Sequence, residues 1–213
     1  MSENRLGSPT LSARWISPKF TRNDWKKLDL SAHSVDWNTA VEIFLDRVNG
    51  RFLAAVDAIR KHTDLQIAEF AGFVTIAIDC LLIETLVQFR TGEDETKGRH
   101  ADAFWSFFKK SDFFKHDFDS RQKSDIFYGH FRCGILHQAQ TKKSSLVRYG
   151  RQRMVEASVI GNIQQGLIID RDLFHNALVD EINNYAQRLR FPQDAHDRKL
   201  RQQFVKKMNL ITK

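Results

Sequence analysis

From Leu65 to Arg90 apolar side chains fall on every face of a helix: Phe70, Phe73, Val74, Ile76, Ile78, Leu81, Leu82, Ile83, Leu86, Val87 and Phe89. A helix that is apolar all round must be enclosed, either by other helices or by lipid. Glu69, Asp79, Glu84 and Gln88 argue against lipid, because each charge near a bilayer centre costs about 3 kcal/mol. The segment is therefore read as the buried centre of a helical bundle, with no membrane span. Asp79 and Glu84 then need partners, since an unpaired carboxylate in such surroundings is costly. Glycine (10) and proline (3) are scarce in the 213 residues, which disfavours a turn-rich sandwich or barrel. The length fits one domain with attached arms.

The rest of the chain supplies the enclosing elements. Residues 1–35 mix Pro9 and Pro18 with Trp15, Phe20 and Trp25, an arm that docks, with a short helix near Asn23 to Leu28. Val41, Leu45, Val48, Phe52, Val56 and Ile59 mark one stripe of a first long helix from Trp37 to about His62. A third helix covers Ala101 to Lys110. A fourth runs from Asp119 or Ser120 to about Ala139, weakened by Gly134. Residues 145–169 change character. Ser145 to Tyr149 and Met154 to Ile160 suit a small hairpin, and Ile168-Ile169 a third short strand. Asp170 is placed to cap a helix reaching Arg190, Pro192 breaks it, and a basic last helix occupies Asp194 to Asn209. The fold class is thus mainly α: a four- to five-helix bundle with a small β-hairpin insert before the last long helices. The domain boundaries are an arm at 1–35, a helical domain at 36–191 and a basic C-terminal helix at 192–213. The two cysteines, Cys80 and Cys133, sit in apolar stretches and read as free thiols. Met1 to Ser17 shows no apolar run of the signal-peptide kind. The expected setting is a reducing cytoplasm.

Chemistry concentrates in Phe127-Tyr128-Gly129-His130-Phe131-Arg132-Cys133-Gly134-Ile135-Leu136-His137-Gln138. Cleaving RNA through its 2′-hydroxyl needs a group that moves a proton and a cation for the phosphoryl charge. His137 suits the first near neutral pH. Arg132 suits the second with a planar fork that stays protonated. Five positions along one helix turn through about 140° and rise about 7.5 Å, so a single helix points the pair in different directions. Two facing copies would bring all four side chains to one groove.

The Arg132-Cys-Gly-Ile-Leu-His137 segment, on a late helix of an all-helical domain, resembles the Arg-x4-6-His motif of the HEPN superfamily (higher eukaryotes and prokaryotes nucleotide-binding domains). The run His137-Gln-Ala-Gln-Thr-Lys-Lys143 is similar to that in some uncharacterised bacterial members, and so is Leu167-Ile-Ile-Asp-Arg-Asp-Leu-Phe174. The resemblance covers about residues 40–190. It implies a homodimeric, metal-independent endoribonuclease of toxin-antitoxin or phage-defence type, with catalytic Arg132 and His137 in a cleft at the dimer interface. It also implies RNA as partner and an antitoxin or other regulatory protein. Two positions depart from the family. Cys133 stands where active members often carry Asn, Asp or His. Ala139 stands where members paired with nucleotidyltransferase antitoxins often carry Tyr. A non-catalytic nucleotide- or protein-binding module therefore remains the alternative, and a structural adaptor docking through its basic tail a third.

Supporting roles follow from position. Glu84, or else Asp79, would orient Arg132 or His137. Tyr128 and His130 would line the same cleft. Lys142, Lys143 and Arg148, followed by Arg151 and Arg153 with no acid among them, would hold RNA phosphates. From Arg188 to Lys213 eight Lys/Arg stand against two Asp, most of the chain's net +7. Phe104, Trp105, Phe107, Phe108, Phe113 and Phe114 read as core. His116-Asp117-Phe118-Asp119 offers too few ligands for a metal, and no cofactor is implied.

Overall fold

The computed structural model describes residues 14–213; Met1 to Ala13 of the expected arm lie outside the described residues. The arm does dock. Thr21 and Asp24 form a reciprocal capping box that starts a short helix, α1 (Arg22–Lys26). This turns Trp25 inward, where its ring meets Phe204 edge-on at 5.7 Å and its Nε1 donates to Asn209 Oδ1 at 2.9 Å. The first long helix is α2 (Asp36–Val48) and α3 (Ala54–Arg60), joined by a π-helical turn at Asn49–Leu53. Gly50 lies in that turn because Pro18 of the arm packs on it; a Cβ there would stand 2.3 Å from Pro18 Cγ.

The apolar segment is split rather than continuous: α4 (Leu65–Phe70), then α5 (Gly72–Thr91). The break falls at Ala71 and Gly72, where a Cβ on Gly72 would lie 2.7 Å from Val147 Cγ1. The missing side chain lets the first strand close against the start of α5. Gly92, at φ +66°, ends α5 in the left-handed conformation that glycine tolerates best. By length and composition α5 is apolar enough to cross a membrane, but 56% of its most apolar window is buried inside the protein. It packs against α6 (His100–Lys110), α9 (Arg171–Arg190) and α10 (Ala195–Ile211).

Phenylalanine fills the space between these helices. Phe104, Phe107 and Phe108 of α6 meet Phe114, Phe118, Phe127, Phe131 and Phe174, all buried. Phe108 and Phe118 stack at 3.7 Å, and Phe127 and Phe174 at 5.0 Å. Edge and stacked pairs of this kind add about 0.5–1.5 kcal/mol each beyond the burial of their area. Of the aromatics read as core, Phe104, Phe107, Phe108 and Phe114 are buried, whereas Phe113 is exposed.

The helix expected from residue 119 or 120 to 139 consists of α7 (Arg121–Ile126), a π-helical turn (Phe127–Arg132) and α8 (Cys133–Gln138). Ser120 caps it, accepting from Lys123 N. Ala139, at φ 52°, closes it. The β insert is a three-stranded sheet in the order β1 (Leu146–Arg148), β3 (Ile163–Asp170), β2 (Val155–Ile160). The hairpin expected from the first two strands is corrected here. β2 pairs antiparallel with β3 across a turn containing Gly161, whereas β1 runs parallel to β3. Alternating apolar residues in β3 bury Leu167 and Ile169 against the helices, so β3, not β1, takes the centre. Asp170 caps α9, accepting from Asp172 N and Leu173 N. Asp194 caps α10 beyond Pro192. The protein is mainly helical, with a small sheet before its final helices.

Candidate active site

Arg132 ends the π-helical turn, and its side chain crosses to α5. There its Nε donates to Glu84 Oε1 at 2.8 Å, with side chains 18% and 13% exposed. The bond takes one of five guanidinium N–H donors. Burial pulls the Arg132 pKa down, but the hydrogen bond and charge of Glu84 outweigh it, so the group is held above its ordinary value. Arg132 is a fixed cation.

Glu84 has a second partner that sequence spacing does not reveal. Its Oε2 lies 2.9 Å from His100 Nδ1 and accepts from Thr96 Oγ1 at 3.3 Å. Thr96 Oγ1 is also 3.0 Å from that nitrogen. With a carboxylate as acceptor, Nδ1 is the donor of this pair. His100 begins α6 and is about one-third exposed. A carboxylate that orients an imidazole, beside an arginine, is an acid–base and charge-stabilising set. His100 lies 16 residues from Glu84, a separation without a sequence signal; its place at the start of a helix after a polar loop was the only hint.

Tyr128 joins this group. The Arg132 guanidinium carbon lies 5.8 Å from its ring centre. Burial, then the neighbouring Cys133, push the Tyr128 phenol pKa up. Cys133, half-buried, stands close enough to both Tyr128 and Arg132 to influence each.

Other expected residues go elsewhere. Asp79 does not orient Arg132 or His137. It is fully buried and lies 2.7 Å from His175 Nδ1 of α9. Their pairing binds α5 to α9, and burial raises the Asp79 carboxyl pKa despite the histidine. His130 is corrected likewise. It is buried, with Nδ1 2.9 Å from Ser145 Oγ, which in turn accepts from Leu167 N, so it ties the helix to the sheet rather than facing Arg132. Burial, then Lys143 and Lys142, lower its pKa. His137 is exposed near the end of α8, with no ion pair among the described residues. The helical offset keeps it from Arg132 within one chain, as five α-helical positions require. Lys142 is half-buried, and its backbone N donates to His130 O at 3.1 Å. Lys143 and Arg148 are exposed. Among the described residues no three or more His, Cys, Asp or Glu side chains are grouped to hold a metal ion.

No family model, curated protein or solved structure matches the chain.

Proposed function

We propose that the protein is a metal-independent endoribonuclease of the HEPN type that works as a homodimer in the cytoplasm. Its setting would be toxin-antitoxin or phage defence, with an antitoxin or other regulatory protein as a further partner. In this reading Arg132 neutralises charge on the phosphoryl group, and His137 moves the proton at the 2′-hydroxyl or the leaving oxygen. The observation that carries it is the Glu84–Arg132 pair, which holds a cation on one side of a helix while the imidazole of His137, with no ion pair among the described residues, stands exposed a few residues on. A second copy would supply the complementary pair across the groove. Glu84 positions Arg132, Tyr128 covers the guanidinium, and Lys142, Lys143 and Arg148 lead from the site as phosphate contacts. His100 adds an imidazole already oriented by Glu84.

The competing reading is a non-catalytic nucleotide- or protein-binding module. It is favoured by the charge of Arg132 being offset by Glu84 and by Cys133 standing where active members of the family often carry Asn, Asp or His. RNA cleavage in EDTA separates the two. Wild type should cut RNA and leave the deoxy strand intact, and Arg132→Ala and His137→Ala should each lose at least about 100-fold. Loss in His100→Ala with retention in His137→Ala would move the proton-transfer role to His100. Folded wild type that leaves RNA uncut would leave the binding module.

A further inference from the structure

A cavity lies away from Arg132, between residues 30–37 and the corner where α9 turns into α10. It encloses about 1120 Å³ and is open to solvent. Its walls include His33, Trp37, Arg190, Phe191, Arg198 and Arg201, and none of the described residues lining it is acidic. Among the described residues no carboxylate pairs with Arg190, Arg198 or Arg201. The acids nearest in sequence hold local bonds: Asp36 accepts from Asp29 N at 2.8 Å and Asp29 from Ser31 N at 3.0 Å. Asp197 accepts from Arg188 Nε at 2.7 Å and from Gln193 N at 2.9 Å, and Asp194 caps α10.

Three further features make this more than a solvated basic face. The C-terminal carbonyls of α9 would repel an anion, but Arg201 covers them, donating to Leu189 O at 2.7 Å and Arg190 O at 2.9 Å. Arg201 is itself fixed, with its guanidinium 4.1 Å from the Trp37 ring centre and a third bond to Ala32 O. Arg190 Nε is buried with no hydrogen-bond partner among the described residues. At the mouth Phe191 is 61% exposed among the described residues, a large ring held by the α9–α10 corner.

A positive groove with an exposed aromatic platform is what single-stranded nucleic acid requires, since phosphates need cations and bases stack on any flat ring. We propose that this cleft binds a single-stranded segment of RNA, with Phe191 stacking a base and Arg190 and Arg198 holding phosphates. The choice of RNA rests on the endoribonuclease reading; the cleft itself is independent of Arg132 and His137. It would anchor substrate at a distance from the cut and account for the positive charge gathered in the last helix.

Fluorescence anisotropy with a short labelled RNA lacking stable pairing tests this, in EDTA and on the His137→Ala background so that the strand stays whole. Phe191→Ala should weaken binding about 10-fold. Arg190→Gln with Arg198→Gln should lower the slope of log affinity against log salt by about 1.4. Phe191 and Arg198 are exposed, so Phe191→Ala with Arg198→Gln gives a folded variant even if Arg190→Gln does not. Binding as tight as the parent in these variants, lost only in Lys142→Gln/Lys143→Gln, would overturn the proposal. So would tighter binding of a poly-glutamate peptide than of RNA, which would make the cleft an acidic-peptide site. RNA bound here but never cut removes only the endoribonuclease reading. RNA cut normally while cleft variants bind normally removes only this one.

Discussion

Gly134→Ala is the most discriminating single change, because local and tertiary physics disagree about its sign. In α8 considered alone, alanine gains about 1 kcal/mol over glycine. In the fold a Cβ at 134 would stand 2.5 Å from the carbonyl oxygen of Gln140 and 3.3 Å from the backbone N and Cγ of Lys142. The first obstacle is backbone, so the loop after Ala139 has to move by roughly 0.9 Å to reach ordinary contact; overpacking of this kind costs about 1–3 kcal/mol. The loop is also pinned by Lys142 N to His130 O at 3.1 Å and by Gln140 N to Gly134 O at 3.4 Å. Losing or stretching these adds about 1 kcal/mol. Set against the propensity gain, the net loss is about 2 kcal/mol, or about 4–8 °C in Tm for a chain of this size. Thermal unfolding followed by circular dichroism measures it. A Tm equal to or above wild type would refute the close passage of the loop over α8. The displaced loop carries Lys142 and Lys143 and follows His137 directly, so any RNA cleavage should fall as well.

Asp79→Ala should cost about 3 kcal/mol, roughly 6–12 °C in Tm, because it strands the buried His175 without its partner. Asp79→Leu combined with His175→Phe should recover much of that, and a single variant as stable as wild type would show that the buried pair does not form. His130 gives a pH signature. Its folded pKa lies below its unfolded value of about 6.5, so the stability it contributes is complete above that pH and is lost as pH falls through it, where the unfolded chain takes the proton first. Urea midpoints should therefore drop more steeply between about pH 7.5 and about pH 5.5 in wild type than in His130→Asn, and parallel curves would sink the idea.

Much of the architecture was legible because it rests on local patterns. The stripe from Val41 to Ile59, the cap at Asp170, the break at Pro192 and the all-round apolarity of α5 each state a backbone or burial requirement within a few residues. The strand order was not legible. β1 and β3 are separated by β2 in sequence, and their parallel pairing depends on Gly72 admitting Val147, a contact between distant segments. The π-helical turns were missed for a related reason: the one at Gly50 accommodates Pro18, which belongs to the arm. In the candidate site the requirement that Asp79 and Glu84 have partners was readable from burial cost, but not which partners. Glu84 reaches Arg132 and His100, and Asp79 reaches His175, through packing that no spacing encodes.

The Phe-rich half of the core also decides what light can report. Eight phenylalanines from Phe104 to Phe174 pack there, and Phe is nearly invisible beside tryptophan in emission. Trp25 and Trp37 instead sit on Phe204 of α10, at 5.7 and 6.3 Å between ring centres. Trp105 lies in α6 beside Phe104, so in a variant carrying Trp15→Phe and Trp105→Phe the tryptophan fluorescence follows the seam where the arm and α2 meet α10. Far-ultraviolet ellipticity follows all the helices, including those that hold Arg132 and Glu84. Unfolding curves that coincide in the two signals would mean that the seam and the Phe-rich half melt as one unit, whereas an earlier fluorescence change would isolate the arm and α10 as a separately opening element.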